Sequence, residues 1–434
     1  MKGYIAMATE LAIKGGPKTV PEGMVKSWPV ITQEDKDAVM AVFDSGHLHG
    51  TSAPNALALQ QEWAEYCGCK HALVTNSGTD AIHMALAAAG IGPGDEVITA
   101  AFTYWSTAAA ILHQNAIPIF VDMDPKTYTM DPALVEAAIT DHTKALLPVD
   151  IHGMPADWDP LLEIAKKHDL ITIADSCQAH GATYKGRKTG TIADGTAFST
   201  NRSKCLSSGE GGLYVTDNDE WFEIASRMRQ FGEVVLPNVQ REYNAFSLGW
   251  MYRSLEWTNA FCRTQLKHLD ERNAIRQQFA DYLTEQLADI PGLDGPYTPP
   301  ERQPVYFSYV VTFRPDQVGL ADVPMADYKS AVIAALRAEG IGLGQWQSRP
   351  VPGQDVFLKR IGYGKGCPWT CRWGREVTYR GEDYPRTIDF IASHSYLAGV
   401  YPPNTMELMQ LYIEGIKKVL GRAKEVVDAA RAAS

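Results

Sequence analysis

A chain of 434 residues is long enough for two or three domains that share a large buried core. Apolar residues make up 45% of the sequence and charged residues 21%, which excludes the disordered and fibrous classes of protein. The formal net charge of −11 argues against nucleic acid or an anionic membrane as the main partner.

The N-terminal residues 1–16 have neither a long apolar core nor a small-residue cleavage site. No later stretch contains 18 consecutive apolar residues. The seven cysteines are odd in number and scattered, which fits reduced thiols better than a disulfide framework. We therefore expect a soluble, cytoplasmic protein without a membrane partner.

Helical patterns alternate with short apolar runs from about residue 56 to residue 216, which is typical of helices packed on a mostly parallel sheet. The predicted strands have the sequences HALVT, DEVIT, IPIFVD, KALLPV, LITIAD, GTAFS and GGLYVT. Small or polar residues follow several of these strands directly. Because ligands of open α/β sheets bind at the carboxyl ends of strands, we expect these loops to form one crevice.

The rest of the chain has a different pattern. The segment 218–276 is predicted to be mainly helical, with an aromatic middle, GWMYRSLEW. Residues 305–313 predict a strand, residues 325–339 a helix and residues 407–433 a long terminal helix. The chain is therefore predicted to have three parts, an N-terminal arm (1–30), a large domain (31–270) and a small C-terminal α/β domain (271–434).

Lys204 is the candidate nucleophile. It lies nine residues after Gly195, where the strand GTAFS begins, among small residues and ahead of a Gly-Glu-Gly-Gly turn. Its amine can therefore approach a bound aldehyde, such as pyridoxal 5'-phosphate, without steric obstruction. The alternative interpretation is a solvated surface lysine beside a hairpin turn.

Asp175 is the candidate partner of the cofactor's pyridine nitrogen, since it ends the apolar strand LITIAD. A carboxylate there can keep the nitrogen protonated, which the cofactor requires to accept electrons. Gln178 follows three residues later and could reach the ring oxygen. The alternatives are an aspartate that caps the next helix and an ordinary polar surface residue.

Further contacts to the phosphate and the ring are predicted from three segments. Gly78 and Thr79 lie in a small-residue turn between a strand and a helix, where N–H groups and the positive helix end would bind an anion. Ser199 ends the strand GTAFS and could add a hydroxyl, and Tyr104 or Trp105 could stack on a planar ring. The alternatives are an unliganded helix cap, a polar strand end and core packing, respectively.

Taken together, these segments resemble the DegT/DnrJ/EryC1/StrS family of sugar aminotransferases. The match runs through most of the chain, from SWPVITQED near the N-terminus to FSTNRSKCLSSGEGGLYVTDN. Its most specific features are the interval of 29 residues from Asp175 to Lys204 and the pattern S-x4-K-x5-E-G-G. The resemblance implies an α/β protein of the type I (aspartate-aminotransferase-like) fold, in which helices flank a mostly parallel central sheet and a smaller C-terminal α/β domain follows.

The resemblance also implies roles for these residues. Lys204 would form a Schiff base with pyridoxal 5'-phosphate and then act as the proton-moving base. Asp175 would pair with the ring nitrogen, Gln178 would contact the ring hydroxyl and Tyr104 would stack on the ring. The phosphate would be held by Gly78, Thr79 and Ser199. Family members are homodimers with active sites at the subunit interface, and we expect the same here.

Two positions depart from the family pattern. Met251 stands where many relatives carry an asparagine that contacts the phosphate in the neighbouring subunit, whereas Arg253 is retained. Asp150 begins the sequence DIHG, where relatives tend to have HLYG. We therefore expect the substrate side of the pocket to differ from that of the relatives.

Lys204 favours amino transfer, because a branch of the family that carries histidine at this position deoxygenates or dehydrates sugars. The predicted reaction moves an amino group from glutamate or glutamine to a keto group of a sugar or cyclitol, in amino-sugar, aminocyclitol or other secondary-metabolite biosynthesis. The segment IASHSYLAG favours a cyclitol. The alternatives are an enzyme of the same fold that catalyses cyclisation, elimination or dehydration, and a non-catalytic protein of this fold.

Two other segments are open to a functional interpretation. Cys367 and Cys371 have a C-x3-C spacing, but no second Cys/His pair lies near them, so no metal site is predicted. The loop GQWQSRPVPGQ, which contains Arg349, could close over a substrate. An exposed polar loop explains that composition equally well.

Overall fold

The computed structural model of the chain describes residues 10–50, 52–235 and 240–433. Its α-helices are α1 (Gln33–Ser45), α2 (Pro54–Cys67), α3 (Gly78–Ala88), α4 (Ser106–His113), α5 (Pro132–Ala138), α6 (Trp158–Lys167), α7 (Asp219–Met228), α8 (Glu256–Leu266), α9 (Leu269–Leu287), α10 (Met325–Ala338), α11 (Asp355–Leu358), α12 (Pro385–Ser393), α13 (Met406–Leu420) and α14 (Ala423–Ala433). None of these described helices has the length and apolar character that a membrane crossing requires.

The strands of the described residues form three sheets. They are β1 (His71–Thr75), β2 (Glu96–Ala100), β3 (Ile117–Val121), β4 (Thr143–Leu147), β5 (Ile171–Asp175), β6 (Thr183–Tyr184), β7 (Arg187–Lys188), β8 (Gly195–Ser199), β9 (Gly212–Thr216), β10 (Leu293–Asp294), β11 (Arg302–Gln303), β12 (Tyr309–Phe313), β13 (Leu343–Gly344) and β14 (His394–Leu397). The short strands β11, β6 and β7 make the smallest sheet.

The central sheet has seven strands in the order β1-β9-β8-β5-β4-β2-β3. Only β9 runs opposite to its neighbours, so the predicted mostly parallel sheet is confirmed. Consecutive residues of a strand point to opposite faces, and both faces are buried here. On β4, Leu146 packs into the apolar core of one face, whereas Ala145 and Leu147 pack into that of the other.

The carboxyl ends of the parallel strands lie along one edge of this sheet. Strands β1, β5 and β8 end there at Thr75, Asp175 and Ser199. The antiparallel strand β9 begins at the same edge with Gly212, which pairs with Ser199. The loop between β8 and β9 is therefore at the edge where parallel sheets bind ligands.

A second apolar core surrounds the four-stranded antiparallel sheet β10-β12-β14-β13. Helices α9, α10, α13 and α14 contribute to it, and so do Leu11 and Val20 from the N-terminal part of the chain. Helix α9 runs across the predicted boundary at residue 270. The domain bounds themselves remain a prediction.

The edge strand β3 of the central sheet is covered by a C-terminal segment, residues 369–379. The Tyr379 hydroxyl donates a hydrogen bond to the Pro118 carbonyl oxygen on β3, at 3.0 Å, and accepts one from Trp369 Nε1, also at 3.0 Å. Arg375 forms an ion pair with the buried carboxylate of Glu96, with an Nε to Oε1 distance of 2.6 Å. Residues from the C-terminal part of the sequence therefore complete the large-domain core.

The strand predicted at residues 305–313 is shorter than expected, since β12 begins only at Tyr309. The backbone N–H groups of Val305 and Ser308 donate instead to the carbonyl oxygens of Gly153 and His152, at 3.1 and 3.4 Å. These bonds tie the first half of the segment to the large domain and take it out of the small sheet.

The long terminal helix predicted at residues 407–433 is two helices, α13 and α14, with Gly421 after the end of the first. At the break, the Arg422 N–H donates to the Val419 carbonyl oxygen, a tighter turn than that of an α-helix. The turn allows Val426 and Val427 to pack into the small-domain core beside α10.

The segment predicted to be mainly helical, residues 218–276, has helices only at its two ends. Between α7 and α8, the described residues 229–235 and 240–255 form turns, isolated bridges and extended chain. Several large apolar side chains of this stretch are exposed, and Leu248 is 84% exposed. Because these side chains have no core to face, periodic burial does not enforce a helix here.

Candidate active site

The loop that carries Lys204 is held by backbone hydrogen bonds across its own base. The N–H groups of Thr200 and Arg202 donate to the carbonyl oxygens of Gly211 and Gly209, at 2.8 and 2.7 Å, and Ser208 donates back to Thr200 at 2.7 Å. The backbone position of Lys204 is therefore fixed by β8 and β9 on either side of the loop.

The side chain of Lys204 is half-buried, and its Nζ lies 4.7 Å from the centre of the Phe307 ring. Trp28 Nε1 donates to the Lys204 carbonyl oxygen at 2.9 Å. Two buried imidazoles, those of His152 and His180, lie close enough to be affected by its positive charge. The pKa of each imidazole is lowered to about 3, mainly by burial, and the charge of Lys204 also contributes to the lowering.

Asp175 ends β5 as a buried carboxylate, 4% exposed. Its Oδ2 accepts a hydrogen bond from the Thr107 hydroxyl at 2.6 Å, and its Oδ1 accepts one from the Cys177 N–H at 3.1 Å. Thr107 lies in the first turn of α4, so this carboxylate is positioned from two elements. The two hydrogen bonds therefore fix the orientation of the carboxylate at the end of β5.

The start of α3 lies against the end of β8. Ser77 is the N-cap residue, and its hydroxyl accepts from the Asp80 N–H at 3.1 Å. A Cβ atom on Gly78 would lie 2.6 Å from Ser199 Cβ and 2.8 Å from Cys177 Sγ, so only glycine fits this contact. The first N–H groups of the helix therefore come close to the strand end and offer a site for an anion.

Gln178 and Tyr104 lie on other sides of the same space. The Gln178 side-chain oxygen accepts a hydrogen bond from the His152 N–H at 2.7 Å, which leaves its amide nitrogen as a donor. Tyr104 is 56% exposed, and its ring centre lies 6.2 Å from that of Trp346. Trp105 lines a smaller adjoining cavity with Tyr104 and does not line the main one.

All seven candidate residues line one cavity of about 650 Å³, namely Gly78, Thr79, Tyr104, Asp175, Gln178, Ser199 and Lys204. The structure thus brings together all seven residues predicted for the catalytic and cofactor site, although their roles remain predictions. Other residues of its wall are Trp28, Arg276, Phe307, Trp346, Tyr396 and Tyr401.

A sequence model of the DegT/DnrJ/EryC1/StrS aminotransferase family matches residues 29–379. The chain belongs to this family. It is therefore an aminotransferase, and its cofactor is pyridoxal 5'-phosphate. The predicted family, reaction class and cofactor are confirmed.

Relatives named for particular reactions cover most of the chain. It is 36% identical over 342 residues to a putative L-glutamine:3-amino-2,3-dideoxy-scyllo-inosose aminotransferase of Streptoalloteichus tenebrarius, covering 77% of this chain and 79% of that protein. It is 39% identical over 288 residues to dTDP-3-amino-3,4,6-trideoxy-alpha-D-glucose transaminase of Streptomyces venezuelae, covering 66% and 74%.

The fold is that of solved members of the family. The crystal structure of S. venezuelae DesV in complex with a ketimine intermediate matches with a TM-score of 0.77 and 31% identity, over 90% of this chain and 95% of that chain. The predicted type I fold is therefore confirmed.

The cavity has the features that pyridoxal phosphate requires. It contains an amine at Lys204 and, at Asp175, a buried carboxylate that can pair with a ring nitrogen. Gly78 and Thr79, at the start of α3, and Ser199 line the cavity, so helix N–H groups and a hydroxyl are available to a phosphate. The residues of the chain therefore fit this cofactor.

The two departures from the family pattern lie outside the cavity wall. Asp150 is fully buried and accepts hydrogen bonds from Ser176 Oγ, the Ala156 N–H and Trp158 Nε1. Burial raises its pKa to about 6. The Asp150 carboxylate thus braces the loop behind the cavity, and the expected change on the substrate side of the pocket stays a prediction.

Met251 is 49% exposed, and it too is absent from the described cavity wall. Its carbonyl oxygen accepts a weak hydrogen bond from Asn76 Nδ2 at 3.4 Å. The chain segment that contains it therefore adjoins the turn that begins α3, where the phosphate contact was predicted.

Several residues of the site escaped sequence reasoning. Thr107 is one, although its place one turn after Tyr104 in the segment TYWST was a usable signal. Arg276 is another, and it shares a helix face with the buried Phe279, Ala280 and Leu283. A charged residue on the apolar face of a helix is the signal that could have identified it.

Proposed function

We propose that the chain transfers an amino group from glutamine or glutamate to a keto group on a polyhydroxylated ring, a sugar or a cyclitol. The observation that supports this most strongly is the convergence of the seven candidate residues on one cavity. The relatives reported above are named as aminotransferases or transaminases, which supports net transamination over cyclisation, elimination or dehydration.

Each residue has a defined task in this proposal. Pyridoxal phosphate, when bound, draws electrons from the carbon that carries the amino group. Lys204 would hold the cofactor through Nζ and carry the proton between the reacting carbons. Asp175 would keep the ring nitrogen protonated, and Gln178 would donate its amide N–H to the ring oxygen. The phosphate would lie at the start of α3.

The acceptor would bind in the smaller cavity of about 190 Å³ that adjoins the main one at Tyr104 and Trp346. Aromatic side chains line it together with Gln347 and Arg349. Gln347 Oε1 is buried and has no hydrogen-bond partner among the described residues. Aromatic faces with unpaired polar groups suit a ring that carries hydroxyl groups, and the small volume favours a cyclitol over a nucleotide-linked sugar.

The proposal includes a homodimer. The exposed apolar side chains of residues 229–235 and 240–255 offer an interface. This part of the chain reaches the site through the Tyr252 carbonyl oxygen, which accepts from the Asn76 N–H at 3.1 Å. We further propose a cytoplasmic location, which the free thiols of the described cysteines support. Cell fractionation with an antibody would test the location.

The test of the reaction uses the purified holoenzyme with glutamine, glutamate and a set of keto-cyclitols and keto-sugars. We expect the cofactor absorbance to change with the donor alone and mass spectrometry to detect an amine product. The Lys204→Ala variant should lose turnover by about 10²–10⁴-fold or more, because the base is gone. Lys144→Ala, at an exposed lysine of β4, should behave as the wild type. Normal turnover of Lys204→Ala would refute the proposed role.

A further inference from the structure

Arg276 is a buried cation in the wall of the cavity that contains Lys204. Its side chain projects from α9 and is 2% exposed. The guanidinium carbon lies 4.5 Å from the ring centre of Trp28 and 5.4 Å from that of Tyr401. Contacts with two aromatic rings restrict the orientation of the guanidinium plane.

The charge of Arg276 is not neutralised within the described part of the chain. No described carboxylate lies within ion-pair distance of it, and its Nε has no hydrogen-bond partner. Burial lowers the pKa of Arg276, opposed only by the Cys205 thiol and the Tyr401 phenol. A buried charge without a partner is costly, so the side chain is suited to an anion that enters the cavity.

The neighbouring Arg272 shows the contrast. It lies one turn earlier on α9 and is also buried, but its Nη1 donates to Gln265 Oε1 at 2.6 Å and it does not line the cavity. Of these two arginines on α9, the one that lacks a hydrogen-bond partner among the described residues is the one that lines the cavity.

We propose that Arg276 binds the α-carboxylate of the amino donor, an inference that rests on the function proposed above. Among the described residues of the cavity wall, Lys204 and Arg276 are the cationic side chains. The donor must bring its amino group to the place of Lys204, and its carboxylate is attached to the same carbon. The cofactor's phosphate has its own site at α3, so the guanidinium fork remains for the carboxylate.

The first test measures binding to the holoenzyme by calorimetry, with two ligands that differ only at the carboxylate. They are 4-carbamoylbutanoate, which is glutamine without its amino group, and the neutral pentanediamide. We expect the wild type to prefer the carboxylate by about 30-fold or more and Arg276→Gln to lose this preference. The matched control Arg272→Gln should retain it. A preference that persists in Arg276→Gln would overturn the inference.

The second test follows the two half-reactions by cofactor absorbance. Arg276→Gln should slow the reaction with glutamine by about 30-fold or more, and should leave the reaction of an aminocyclitol, which lacks a carboxylate, within about threefold of the wild type. A loss confined to the aminocyclitol or its keto form would assign Arg276 to the acceptor and overturn the inference.

The controls separate two kinds of failure. If Arg276→Gln fails to fold, Arg276→Lys is used for the same test. Lysine keeps the positive charge but lacks the two-pronged guanidinium group. We expect the preference of this variant for the carboxylate ligand to fall. A wild type that responds to no donor would refute the proposed function, while the calorimetric preference would still decide the role of Arg276.

Discussion

At the scale of single residues, the hydroxyl of Thr107 is the contact that orients Asp175 from a second element. We predict that Thr107→Val weakens cofactor binding by about 1.5–3 kcal/mol, because a hydrogen bond to a charged group is lost without loss of volume. The measurement is the dissociation constant of pyridoxal phosphate, read by its absorbance. Thr107→Ser should restore binding.

The control for this change is Thr99→Val on β2. Thr99 is equally buried and donates to the neutral carbonyl oxygen of Leu147 at 2.8 Å, away from the cavity. The Thr99→Val substitution should lower the stability of the protein without changing the absorbance spectrum of the bound cofactor. If both variants affected the spectrum alike, the positioning role of Thr107 would be wrong.

The contact of Gly78 with Ser199 gives a second prediction. Gly78→Ala places a methyl group 2.6 Å from Ser199 Cβ, so the start of α3 must move away from β8. We expect about 1–3 kcal/mol of lost stability and weaker cofactor binding, measured by urea unfolding and by titration of the apoenzyme. Gly92→Ala, where a Cβ atom meets nothing within 4 Å, should leave cofactor binding unchanged.

The candidate residues could be found from the sequence because each lies at or just after the end of a strand, in the strand order of a known family. Arg276 and Thr107 have weaker sequence signals, since their importance depends on partners far along the chain. Arg276 meets Trp28 only after the N-terminal segment has crossed the cavity, and Asp175 meets Thr107 only after the sheet has formed. The position of Asp150 behind the cavity could not be predicted, because a sequence pattern does not reveal which side of a loop faces the cavity.

At the scale of elements, the irregular residues 229–235 and 240–255 carry the proposed subunit interface. Tyr243, Phe246 and Leu248 are 77%, 56% and 84% exposed there, and such a concentration of exposed apolar side chains is typical of an interaction surface. We predict that Leu248→Asp shifts the protein from dimer to monomer, as measured by light scattering after gel filtration. A carboxylate in an apolar interface has no partner and opposes association.

The control is Leu358→Asp on α11, where the leucine is 49% exposed. We expect it to leave the mass in solution unchanged. A wild type that is monomeric at micromolar concentration would contradict the homodimer itself.

Strands were predicted more accurately than helices in this chain. The apolar runs of the central sheet are short and continuous because both faces are buried, so each run marks its strand. Helical periodicity, by contrast, continues across Gly421, and the break there depends on how α14 packs on α10. Tertiary contacts decided the ends of these elements.

At the scale of the whole molecule, buried histidines make stability depend on pH. Burial lowers the pKa of these side chains from 6.5 to about 4 or about 3, in His83, His152, His180 and His394. Each remains neutral in the folded chain and binds a proton on unfolding once the pH is below 6.5. Their contribution lowers the free energy of unfolding as the pH falls from about 6.5 towards 4.

Two carboxyl groups act in the opposite direction. Burial raises the pKa of Asp80 and of Asp150 from 3.8 to about 6, so near pH 5 each carries a proton in the folded chain and loses it on unfolding. Four protons gained and two lost leave a net uptake of about two protons on unfolding at pH 5.

We therefore predict that the holoenzyme unfolds at a lower temperature at pH 5 than at pH 7. His83→Gln should lower the number of protons that the chain takes up on unfolding at pH 5 by about one. His47→Gln, at an exposed histidine, should leave it unchanged. A midpoint that rises on acidification would contradict the net uptake.

The cover over strand β3 has a consequence for the order of events during synthesis. Strand β3 is complete at residue 121, but the Tyr379 that bonds to its Pro118 is made much later. Throughout that interval the emerging sheet has an unpaired edge, which can pair with a strand of another nascent chain. Slow translation of the second half of the message would therefore prolong the time in which this edge is uncovered.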